Sequence, residues 1–90
     1  MAVPCLLRRR TGSAISVETV NVGPGGMCVM TKRPLGIDEI LEFDLPLADT
    51  DHVDGRARVV RQERHDVYAL RFEGLREPVR DRLQRFTTGA

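Results

Sequence analysis

Two groups of residues in this chain could hold a charged ligand. Arg8, Arg9 and Arg10 stand in one run, and the stretch Asn21-Val22-Gly23-Pro24-Gly25-Gly26 packs three glycines and a proline behind an asparagine. Guanidinium groups are planar, forked donors that suit phosphate oxygens and stack on aromatic faces. A glycine-rich stretch supplies either a backbone cradle for a ligand or a sharp turn. It is not a Walker loop, because no Gly-Lys-Ser/Thr follows. It is not a dinucleotide fingerprint, because Met27 to Thr31 reads as a strand where that fold needs a helix. On turn propensities alone it is a strand reversal, with its glycines at the positive φ values that other residues resist.

The remaining reactive side chains point away from catalysis. Ser13 and Ser16 lie in no Gly-x-Ser-x-Gly context. His52 falls in a polar stretch and His65 in a hairpin turn, both read as solvated, and their spacing does not suit a shared metal. Asp49, Asp51 and Asp54 resemble part of a calcium loop, but Val60 stands at its twelfth position, where that loop needs a bidentate glutamate. Cys5 and Cys28 lack the close pairing of zinc ligands and read as reduced thiols. No catalytic residue, metal site or cofactor is expected.

The elements that must position these residues are mostly strands. Ninety residues fit one domain, residues 1–90, with a modest core. Ile15, Val17 and Thr19 alternate with Ser16, Glu18 and Val20. Leu41, Phe43 and Leu45 alternate with Ile40, Glu42 and Asp44. Tyr68, Leu70 and Phe72 share one face, and Ala69, Arg71 and Glu73 the other. This period of two predicts strands, about six in all once residues 3–10, 27–31 and 56–62 are added, which favours a small barrel or sandwich. Residues 48–55 are polar and read as a loop, and residues 63–66 as a hairpin turn. Val79, Leu83 and Phe86 form an apolar stripe at helical spacing, with Pro78 in the first turn and Gly89 as a stop, so one amphipathic helix caps the barrel.

Charge narrows the partners. The net charge is +1, with five basic and five acidic residues in 1–45 and nine and eight in 46–90. A polymeric nucleic acid usually demands a basic excess and stacking aromatics, and this chain has one tyrosine and three phenylalanines. No apolar run is long enough for a membrane helix, and the N-terminus lacks the order of a secretory signal, so a cytoplasmic protein is expected.

Order and spacing along residues 14–86 resemble the PilZ family. Asn21-x-Gly-x-x-Gly26 is similar to its Asp/Asn-x-Ser-x-x-Gly motif. Residues 33–47 look like its Pro/Gly turn and long apolar strand, 55–75 like its closing hairpin and 79–86 like its terminal helix. The resemblance implies an all-β fold, a six-stranded antiparallel β-barrel with one C-terminal α-helix. It also implies a role in bacterial cyclic di-GMP signalling. In that family an Arg-x-x-x-Arg pair before the barrel grips phosphates and guanines, and the second motif completes the site.

This chain departs from the pattern twice. Gly23 replaces the serine, a loss of roughly 1 kcal/mol if that hydroxyl bonded the ligand. Arg8, Arg9 and Arg10 have no arginine four residues on, and the literal Arg-x-x-x-Arg, Arg76 to Arg80, lies at the helix. The candidate ligand-binding set is therefore Arg8, Arg9, Arg10, Asn21, Gly23 and Gly26. Two functions stay open: a cyclic di-GMP receptor with an incomplete site, or an adaptor that docks on a bacterial protein without the nucleotide.

Overall fold

The computed structural model describes residues 3–47 and 52–88, with the helix backbone alone for 84–88. The side chain of Phe86, the expected stop at Gly89, and Asp49 and Asp51 lie outside the described residues. Six strands and one helix follow in order: β1 (Val3–Arg8), β2 (Ala14–Val22), β3 (Gly26–Met30), β4 (Ile40–Pro46), β5 (His52–Arg64), β6 (Val67–Glu73) and α1 (Glu77–Thr88). All pairings are antiparallel. The order β1-β2-β3-β6-β5-β4 closes on itself where Leu6, Leu7 and Arg8 pair with Asp44, Phe43 and Glu42. Closure leaves no free sheet edge.

The alternation legible in the sequence sorts the two faces. Leu7, Ile15, Val17, Val29, Leu41, Phe43, Leu45, Leu70 and Phe72 fill the interior, and the Phe43 and Phe72 rings stack at 4.9 Å. Thr19 is turned inward from β2, and its Oγ1 both accepts from Val3 N and donates to Val3 O at 3.0 Å. Buried polar groups need such partners.

Two boundaries differ from the sequence expectation. Residues 52–55, read as loop, are the start of β5 and pair with Phe43 to Pro46 of β4. Their polar composition hides an alternation of its own: Val53 is buried, and Gly55 sits under the Phe43 ring and Leu75, where a Cβ would come within 3.2 Å of both. At the other end β5 runs to Arg64, leaving only His65 and Asp66 as the turn.

Each barrel end has its own plug. At one end α1 places Leu83 in the core and packs Val79 against it, and Arg82 donates to His52 O at 3.0 Å. An amphipathic helix buries its stripe in this way because nothing else can cover it. At the other end Leu35 is buried, and Arg9 straps the β1–β2 turn to the loop after β3.

Candidate ligand site

The glycine stretch joins β2 to β3 at the end covered by α1. A bulge between Thr19 and Asn21 shifts the register, so Asn21 faces Cys28 and Val22 faces Met27. Gly23 N donates to Gly26 O at 2.8 Å, and Phe72 N donates to Gly25 O at 2.9 Å. Asn21, Pro24 and Gly25 are exposed.

The glycines are not there for the reason turn propensity suggests. Among the described residues the positive φ values belong to Gly12, Asp38 and Gly74, and none to Gly23, Gly25 or Gly26. Gly26 is required by closeness instead: an added Cβ would collide with the carbonyl oxygen of Leu70 and lie 3.2 Å from Arg71 Cα. Absence of a side chain lets β3 start in register against β6. Gly23 and Gly25 have room, the nearest atom to a Cβ at Gly23 being Gly26 O at 3.9 Å.

The sequence-nominated residues fall at opposite ends of the barrel. Arg8 pairs with Ala14 at the start of β2, whereas Asn21 lies seven residues further along it. At roughly 3.3 Å per residue that is about 20 Å. Arg8, Arg9 and Arg10 share a cleft of about 350 Å³ with Ile40, Glu42 and Arg56. Arg8 stands 4.0 Å from Glu42 with both side chains largely exposed, a pair worth little. Arg9 is committed: Nε and Nη2 donate to the two Glu39 carboxylate oxygens at 2.8 and 3.2 Å, and Nη2 also donates to Pro34 O. Arg76 and Arg80 are exposed at the start of α1.

Other arginines stand beside Gly26. The register runs from Gly26 on β3 to Arg71 on β6 and Arg58 on β5. One step along, it runs from Asn21 to Cys28, Ala69 and Arg61. The inward residues of β6 are Tyr68, Leu70 and Phe72, so Arg71 and Ala69 face outward. Gly26 and Cys28, both half-buried, lie on the outer side of the sheet between Asn21, Arg71, Arg58 and Arg61, and Ala69 beside them is buried. Arg58 Nε and Nη2 both donate to Glu73 Oε1, at 3.1 and 3.0 Å. Arg61 pairs with Glu63 at 2.8 Å, and that hydrogen bond raises its pKa. Arg71 is exposed and makes no side-chain hydrogen bond or ion pair among the described residues. Sequence reading placed Arg71 on the polar face of its strand, but pairing across three strands is needed to set it beside Gly26.

No reactive centre accompanies this surface. Cys5 and Cys28 are both free thiols. Burial pushes the Cys5 thiol up to about 12, which leaves it protonated and inert. No group of three or more metal-ligating side chains occurs among the described residues, and no described helix is long and apolar enough to cross a membrane.

Comparison with known proteins agrees with this architecture. No curated protein matches the chain. A solved structure, the PilZ domain of CeSA from a cellulose-synthesizing bacterium, superposes with a TM-score of 0.74 over 99% of this chain and 92% of that one, at 16% identity. At that identity the likeness is one of fold. The family model for the PilZ domain matches residues 1–89. Barrel, terminal helix and family model coincide along the chain, which therefore belongs to the PilZ domain family, regulatory domains known for binding cyclic di-GMP rather than for catalysis.

Proposed function

We propose that this chain is a single PilZ domain, residues 1–90, that acts in the cytoplasm as a cyclic di-GMP receptor with a reduced site. The observation that carries the proposal is the β2–β3 junction. Asn21 and Gly26 sit on one outer face, at the end of the barrel where β1 begins, and the backbone around them is exposed. Asn21 offers an amide donor and acceptor to a base edge or a phosphodiester. Gly23 offers no hydroxyl, so the site is weaker than one built on serine by roughly 1 kcal/mol.

A second reading has its own support. Ile37, Ile40 and Val60 are exposed by 56%, 42% and 36% where the loop after β3 joins β5. Such residues suit a protein partner. They favour an adaptor that works without the nucleotide.

Calorimetric titration of cyclic di-GMP into the purified chain separates the two. Saturable heat that an Asn21→Ala variant reduces supports the receptor. No heat at ligand concentrations of hundreds of micromolar leaves the adaptor.

A further inference from the structure

We infer that Arg71 and Arg58 supply the phosphate-gripping arginines of this domain, in place of the run Arg8 to Arg10. The inference rests on the receptor reading above and assigns residues to its phosphate contacts.

Position is the first argument. Arg71 is directly across from Gly26, and Arg58 directly across from Arg71. Paired strands lie about 4.8 Å apart, so both guanidinium groups start within about 10 Å of the Gly26 backbone. A phosphodiester lying against Gly25 and Gly26 is within reach of both side chains. It is out of reach of Arg8 to Arg10, some 20 Å away along β2.

Availability is the second. Arg71 has no partner to give up among the described residues. Arg58 shares a single oxygen of Glu73 between two of its nitrogens, and the pair is partly exposed, with 42% and 35% of the two side chains open to solvent. A pair of that kind is held weakly, and a doubly accepting phosphate displaces it at small cost. Arg9, by contrast, is held by both Glu39 oxygens and Pro34 O, and its release would open the far end of the barrel.

Shape is the third. Gly26 and Cys28 are small and half-buried, so a planar base can lie over them between Asn21 and the arginines, with a guanidinium stacked on its face. Glu73 acts as a resident anion that holds the Arg58 guanidinium.

The test is titration of cyclic di-GMP into wild type, R71A, R58A, E73Q and the double variant R8A/R10A, with melting temperature measured without ligand. Arg71 is exposed and unpaired, so R71A is expected to melt as wild type does while binding ten- to hundredfold more weakly. R58A is expected to weaken binding similarly. E73Q removes the competing anion and is expected to tighten binding two- to fivefold, a change opposite in sign to any loss of structure. R8A/R10A is expected to bind as wild type. Nucleotide is also expected to slow alkylation of Cys28. Wild-type affinity in R71A and R58A, with loss in R8A/R10A, overturns the assignment alone. No saturable binding by wild type overturns the receptor reading and the assignment with it.

Discussion

The β-carbon that Gly26 lacks would fall on the carbonyl oxygen of Leu70. This contact, rather than a positive φ, is what demands glycine at the start of β3. Gly26→Ala must push β3 away from β6, and overpacking of this kind costs about 1–3 kcal/mol. Gly25→Ala meets nothing within 4 Å and keeps an ordinary φ, so its change is expected to stay within about 0.5 kcal/mol. Urea denaturation of both variants checks this. Equal stability in the two would return Gly26 to the role of a simple turn residue.

Arg9 and Glu39 close the end of the barrel remote from α1. Their fork is bidentate, and each side chain is about three-quarters covered, at 28% and 25% exposed. Glu39 Oε1 also accepts from Gly36 N at 2.9 Å, so the pair fixes the loop over Leu35. Arg9→Ala is expected to lower stability by about 1–2 kcal/mol and leave cyclic di-GMP affinity unchanged. Arg9→Lys is expected to recover little of that loss, because an ammonium cannot span both oxygens. Thermal melts with parallel titrations decide it: a binding loss in Arg9→Ala at unchanged melting temperature would return Arg9 to the ligand.

The barrel was legible because nearly every strand shows one apolar face. Leu41, Phe43 and Leu45, or Tyr68, Leu70 and Phe72, announce both strand and inward side without any partner. His52 to Gly55 escaped, because one buried valine and a glycine under a phenyl ring leave no pattern until β4 is alongside. The site was half legible. Asn21 and Gly26 stand out by spacing, but Gly26 owes its identity to Leu70, forty-four residues on, which no local pattern encodes. Arg71 and Arg58 join that surface only through the β3-β6-β5 order, and proximity in sequence drew attention to Arg8 to Arg10 instead.

Cys5 carries a pH signature. Its thiol stays protonated up to about 12 in the fold, against an ordinary value of 9.0. In the unfolded chain it ionises near that ordinary value. Above pH 9 the unfolded state sheds a proton that the native state keeps, so stability is full below pH 9 and is lost as pH rises toward 12. The slope approaches about 1.4 kcal/mol per pH unit. Between pH 9 and 10.5, wild type is expected to lose about 1.5 kcal/mol more than Cys5→Ala, which lacks the group. Urea unfolding of both proteins at the two pH values measures it, and parallel curves would mean that Cys5 is solvated.

Gly23 offers the most direct gain of function. Its φ is not positive, and the only atom near a prospective Cβ is Gly26 O at 3.9 Å. Serine therefore fits without strain, and its hydroxyl would stand beside Asn21 on the exposed side of the junction. A neutral hydrogen bond contributes about 1 kcal/mol, or roughly fivefold in affinity. Gly23→Ser is expected to bind cyclic di-GMP about fivefold more tightly, with its unliganded melting temperature little changed. Combining it with Arg71→Ala tests whether both act on one ligand: if they do, the gain and the loss offset and the double variant binds about two- to twentyfold more weakly than wild type, whereas the full fivefold gain over wild type in the double variant would place Arg71 outside the site.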